Sequence, residues 1–215
     1  MKNLLFSLNL FEGFNMKKYL VFLIMTSTLL FTFVGCKKTT TEPDAVDQYP
    51  QKITDAWAAY SLGNYDTAKN LFLDAKSLDA SKGDAYMGLG WCYLKSDSVS
   101  LSLSNFSTAY DKGLCNADLN SGYAFSLNAG KQYQLSNSYA EIVLVIKPNW
   151  VFTYQTTLNK NDLLLLKAQN FYQLGDFANS LSYVKMLNIS FLADVSTAAG
   201  RSALADEIER LKNII

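Results

Sequence analysis

The feature that most limits what this chain can become is a recurrence at 34 residues. Trp91 falls 34 residues after Trp57 and 34 before Phe125, Phe106 falls 34 after Phe72, and Ala109 falls 34 after Ala75. Gly90 meets Ala56 at the same shift, and Val99 stands between Tyr65 and Tyr133. A period of this size is one helix–turn–helix unit, which cannot bury its apolar side alone and must stack on copies of itself. Inside the unit, Tyr86, Leu89, Gly90 and Tyr93 share one helical face, and Leu103, Phe106 and Ala109 share a face of the next helix. Small Gly90 and Ala109 among large rings let two antiparallel helices approach closely.

Taken in order, the first pair runs from about Asp47 to Leu78. Ile53, Ala56, Trp57 and Tyr60 lie on its first helix, Gly63-Asn64 at its turn, and Tyr65, Ala68, Phe72, Ala75 and Leu78 on its second. The second pair spans Ser81 to Lys112, and its turn, Ser96-Asp97-Ser98, lacks a glycine. The third, from about Asn116 to Ile146, carries Gly122, Tyr123, Ala124 and Leu127, is expected to break at Gly130, and stops at Lys147-Pro148. The aromatic, β-prone stretch Trp150–Thr157 then delays the next pair by ten residues. The fourth pair resumes near Asn161 with Leu164, Ala168 and Phe171; Gly175-Asp176-Phe177 repeats the turn Gly63-Asn64-Tyr65, and Leu181, Val184 and Leu187 follow. Arg201 to Ile215 sets Leu204, Ile208, Leu211, Ile214 and Ile215 on one stripe, with Glu207, Glu209 and Arg210 outside it, as a terminal cap requires. The expected fold is therefore all-α: a solenoid of about four helix–turn–helix repeats over residues 48–190, closed by a capping helix within 191–215.

Gly63-Asn64-Tyr65, Ala68, Phe72 and Ala75 resemble the tetratricopeptide-repeat (TPR) pattern, and Pro148 falls where that family often places proline between repeats. Ser102 stands where the family prefers alanine. The resemblance covers roughly Asp47 to Leu187 and implies a protein-interaction scaffold whose first helices line a concave, partner-binding face, with no catalysis and no cofactor. On that face Trp57, Trp91 and Phe125 recur, with Tyr60 and Tyr172 nearby. One reading makes them aromatic anchors for an extended peptide, a helix or a glycan. The other makes them ordinary core, packed against each other and the terminal helix. Asp84, Asp118 and Asp162, near the starts of three first helices, either favour the positive helix ends or form an acidic rim. Family members that clamp a C-terminal carboxylate use Lys, Arg and Asn on this face; acids and aromatics stand here instead, so that activity is not carried over. Trp150–Thr157 reads as a lid, a partner contact, or a plug between the third and fourth pairs.

Composition narrows the function further. Lys+Arg and Asp+Glu are equal at 19 each, so no basic excess exists to hold a phosphate backbone, and nucleic acid is not an expected partner. There is no histidine, which removes the commonest general base and the commonest zinc ligand. Of the three cysteines, Cys92 is mid-helix and reads as a small buried hydrophobe. Cys115 falls near the start of the same first helix, about 12 Å along the axis from Cys92 at 1.5 Å per residue, too far for a disulfide.

The N-terminal part reads as an address. Met16-Lys17-Lys18, the apolar run Tyr19–Val34 and Gly35 describe a secretory signal peptide over residues 16–35. Phe33-Val34-Gly35-Cys36 resembles the lipobox of bacterial lipoproteins, although leucine is usual at the position of Phe33. By that resemblance Cys36 is the lipidated mature N-terminus, residues 36–47 are a flexible tether, and residues 1–15 are a misassigned start. An uncleaved signal-anchor is the competing reading. Together these expectations describe a lipid-anchored scaffold at the cell envelope, on the periplasmic side or the surface of the outer membrane, held there by its lipid and binding a protein partner. By family resemblance, small lipoproteins of this kind serve in envelope assemblies, the outer-membrane β-barrel assembly machinery among them. The alternative is an envelope lipoprotein that binds a small ligand or glycan in an aromatic-lined groove.

Overall fold

The computed structural model describes residues 45–215, which form nine α-helices and no named strand. The signal peptide, Cys36 and most of the tether lie outside the described residues. Helices α1 (Ala45–Ser61) and α2 (Tyr65–Leu78) make the first antiparallel pair, and α3 (Gly83–Lys95) and α4 (Val99–Asp111) the second. The third is α5 (Ala117–Ala129) with α6 (Tyr133–Ile146), and the fourth α7 (Lys160–Gln173) with α8 (Phe177–Leu187). Each pair stacks on the next through α2–α3, α4–α5 and α6–α7, while the first helices α1, α3, α5 and α7 touch in sequence and make one wall. Helix α9 (Ala198–Lys212) closes the array against α7 and α8. Among the described residues no helix is long and apolar enough to cross a membrane.

The turns show how the repeat tolerates sequence change. The left-handed residue of the turn inside each pair is Gly63 (φ 78°), Asp97 (φ 53°), Lys131 (φ 60°) or Gly175 (φ 76°), so the backbone repeats where the residue type does not. Gly130 caps α5 at the expected break, with an ordinary φ of −80°. Its neighbour Lys131 takes the strained angle, and Gly130 is small because a Cβ there would stand 3.2 Å from the Leu103 Cδ1.

Within the second, third and fourth pairs the crossing of the two helices is stitched by one hydroxyl. Ser102 Oγ donates to the Gly90 carbonyl, Ser136 Oγ to Ala124, and Ser180 Oγ to Ala168, each at 2.8 Å and each fully buried. The first pair has Ala68 at this position, also fully buried. What looks like a departure from an alanine pattern is therefore a second way to fill a close crossing, with a satisfied hydrogen bond offsetting the buried hydroxyl.

At the C-terminal end, Leu204, Ile208 and Leu211 are buried with Leu165, Ala168 and Val184. Ile214 is 64% exposed and falls off the expected stripe, because α9 stops at Lys212. Glu207, expected outside, is buried in this interface. It accepts from Asn188 Nδ2 at 2.8 Å and from Arg210 Nε and Nη2 at 2.7 and 2.6 Å, and the Arg210 hydrogen bonds hold its carboxyl below the usual carboxylate range. A carboxylate with three donors can sit at a helix contact where a bare one cannot.

Candidate functional site

The wall of first helices is covered by the chain itself. The insertion after α6 turns at Gln155 and returns to α7, closed by Phe152 N–H to the Leu158 carbonyl (2.9 Å), Lys160 N–H to the Trp150 carbonyl (2.9 Å) and one antiparallel bridge between Val151 and Asn159. Its outgoing arm alternates strictly. Trp150 and Phe152 are fully buried and Tyr154 half-buried, while Val151 and Thr153 are exposed. The backbone is extended from Trp150 to Phe152, and then turns at Thr153-Tyr154, where Gln155 N–H donates to the Phe152 carbonyl at 3.4 Å.

The buried side chains reach back across three repeats. Phe152 stacks on Trp91 of α3, with ring centroids 4.2 Å apart, and meets Trp57 and Tyr60 of α1 edge-on at 6.1 and 6.0 Å. Tyr154 stacks on Trp57 at 3.7 Å with planes 5° apart, and burial raises the pKa of its hydroxyl, with Asp118 and Asp84 adding to the effect. Trp150 Nε1 donates to Asp118 Oδ1 at 2.8 Å, while Trp91 Nε1 donates to the Asp118 backbone carbonyl at 3.1 Å. Asp118 sits in the first turn of α5, whose N-cap Asn116 accepts from Leu119 N–H at 2.8 Å. One acidic residue thus orients both tryptophans, a role that neither a helix-end charge nor a solvent rim describes. Asp162 does serve its helix end, accepting from Asn159 N–H at 2.7 Å in a capping box.

The five aromatic positions singled out in the sequence therefore have different fates. Trp57, Tyr60 and Trp91 are no more than 4% exposed, so the expected open row of anchors is corrected to a row covered by the chain's own hairpin. Phe125 remains partly exposed beside Trp91 at 6.3 Å. Tyr172 does not join them: it packs edge-on against Phe177 at 5.1 Å, donates to the Arg201 carbonyl at 3.3 Å, and belongs to the core under α9. The insertion is also not a plug between the third and fourth pairs, because α6 and α7 pack directly on each other. A ligand that needs a free aromatic face, such as a sugar, finds both indoles already stacked.

Two open clefts flank the hairpin. One, of about 320 Å³, lies at its tip between Tyr154 and the α1 residues Ile53, Thr54, Trp57, Ala58 and Ser61. The other, of about 410 Å³, lies at its base among Asn116, Ala117, Asp118, Ile146, Lys147 and Thr153. At the end of α3, desolvation lowers the pKa of Lys95 against the pull of Asp162. Cys92 is buried, which pushes its thiol up to about 12; Cys115 is exposed, and both are free. Among the described residues no group of three or more Cys, Asp or Glu side chains is placed to hold a metal.

No protein-family model and no curated protein sequence matches the chain. Solved structures do match in fold. YrrB, a TPR protein described as having an unusual peptide-binding site, superposes with a TM-score of 0.56 at 17% identity over 75% of this chain and 85% of its own. A thermophilic TPR protein of Thermus thermophilus gives 0.52 at 18% identity, covering 76% and 82% of the two chains. A tetratricopeptide repeat protein from Parabacteroides merdae ATCC 43184 gives 0.52 at 14% identity, covering 78% and 65%. The fold of this chain is a TPR solenoid of four helix pairs and a cap.

Proposed function

We propose that this chain is a lipid-anchored scaffold of the bacterial cell envelope that binds a protein partner through the wall of its first helices. One observation carries the binding half: the wall already holds a peptide hairpin, the chain's own, by aromatic side chains at alternate positions. A surface that accommodates one such segment has the shape and chemistry to accommodate another. The peptide-binding site described for YrrB, similar in fold, supports the same reading. The anchoring half rests on Met16-Lys17-Lys18, the apolar run to Val34, and Gly35-Cys36. Several acyl chains on one cysteine give lasting attachment where a single chain binds only marginally. Lys37-Lys38 after the cysteine carries no aspartate of the kind that retains some lipoproteins at the inner membrane, which favours the outer membrane.

Two outcomes test it. Replacing Cys36 by serine moves the protein out of the membrane fraction if lipid is its anchor; retention there would favour an uncleaved signal-anchor. In a pull-down from crosslinked envelopes, Thr54→Arg/Ala58→Arg fills the cleft beside Tyr154 from two exposed positions without touching the core. Partners present with the wild type and missing with this variant identify the wall as the binding face. An unchanged set of partners removes it from that role.

A further inference from the structure

We infer that the hairpin of residues 149–160 is an internal competitor. It occupies a site for a non-acidic hairpin peptide with aromatic side chains at alternate positions, and a partner enters by displacing it. The inference deepens the reading of the first-helix wall as a partner site and rests on it.

Four observations separate a competitor from a structural filler. First, the helix stacking is continuous without the hairpin, since α6 stacks on α7 as α2 does on α3 and α4 on α5. Second, the segment lies on the wall as a ligand does. Trp150, Phe152 and Tyr154 face it while Val151 and Thr153 face solvent, and its closing backbone bonds are made to its own return arm. Third, the contact has one directional polar anchor, the Trp150 indole on Asp118, and Asp84 adds a second negative charge near Tyr154. An entering peptide must therefore bring a donor at the first position, and acidic side chains are repelled. Fourth, the fit is incomplete. Among the described residues Gln155 Oε1, at the hairpin turn, is a buried polar atom without a hydrogen bond. A buried polar atom left unpaired costs free energy, so a peptide that does not bury one there gains over the resident segment.

The strap lowers apparent affinity in proportion to the fraction of molecules in which it is displaced, which makes it a threshold rather than a barrier. Its tip is the place to weaken it. Tyr154 is half-buried and stacks on Trp57 of α1, whereas Trp150 and Phe152 are fully buried.

The test uses the full chain in detergent and a fluorescein-labelled synthetic peptide copying residues 149–160, with a control peptide carrying serine in place of Phe152 and Tyr154. Tyr154→Ala is expected to bind the copy at least tenfold more tightly than the wild type does, and the control not at all. A folded Tyr154→Ala protein that binds the copy no better than wild type, or binds the control equally, overturns the inference. Amide exchange in the wild type decides it independently of that variant. Excess peptide should speed exchange at Phe152, Leu158 and Lys160, whose N–H groups hold the hairpin, and leave α3 and α5 protected. Unchanged exchange at those three amides would equally overturn it. Failure here with partners still recovered from envelopes leaves the scaffold reading standing. Peptide binding without envelope partners does the reverse.

Discussion

Replacing Trp91 by alanine is expected to cost about 3–5 kcal/mol of stability, the range for emptying a large aromatic site in a core. The side chain is 1% exposed, stacks on Phe152, meets Phe106 edge-on at 5.9 Å and donates to the Asp118 carbonyl. Its loss leaves a cavity shared by α3, α4, α5 and the hairpin, and removes one donor from the Asp118 carbonyl, which keeps Ser121 Oγ at 3.1 Å. Urea unfolding followed by helix signal measures the change. A cost below about 1 kcal/mol would mean that the hairpin collapses into the space or does not pack there in solution. The same result settles how tryptophan variants are used: a Trp57→Ala/Trp91→Ala protein that loses partners has lost its core, and says nothing about a binding face.

Gly122→Leu is the second large effect, expected to lower stability by about 1–3 kcal/mol or more through overpacking. A Cβ at Gly122 would stand 2.4 Å from Phe106 Cζ and 2.7 Å from Trp91 Cε2, both rigid rings with no exposed space to turn into. Gly88, one period earlier, has the same relation to Phe72 at 2.3 Å, and Gly90 meets Phe106 at 2.8 Å. Thermal unfolding should show Gly122→Leu well below wild type, while a charge-neutral change at exposed Ser104 leaves the midpoint in place. An unchanged midpoint for the glycine variant would mean that the second and third pairs do not stack in the register described.

The register was readable because it is a packing rule written locally. A ring on a second helix requires a hole on the next first helix, and Phe72/Gly88 and Phe106/Gly122 state that rule twice, 34 residues apart. Where the sizes reverse, the pattern fades: one more step gives Ala140 and Leu166, both buried in the same core, so the third interface is filled from the other side. That reversal is why the third pair reads weakly although its helices are as regular as the rest. The turns were half readable, since glycine marks two of the left-handed positions and Asp97 and Lys131 occupy the others. The site was not readable as such. Each aromatic position was visible, but whether a tryptophan faces solvent depends on a segment 59 to 97 residues further along, from Trp91 to Trp150 and from Trp57 to Tyr154. The one local sign was the alternation Trp150-x-Phe152-x-Tyr154, a period of two inside a chain otherwise written in helical periods. Glu207 failed for a similar reason: its acceptance into the interface depends on Asn188, which sequence spacing does not connect to it.

Repeat arrays ordinarily unfold in pieces, because each unit touches only its neighbours and the ends can fray while the middle holds. The ring pair Trp57–Tyr154 breaks that one-dimensional rule by tying the first unit to the segment that precedes the last. Melting α1 and α2 alone would expose both faces of that pair, and lifting the strap would leave the first unit without part of its core. The long loop closed by this contact slows folding, since its closure entropy comes before the contact's reward. In return the N-terminal unit cannot open independently of the centre. A pull applied at α1 would be resisted by the whole molecule rather than by one repeat.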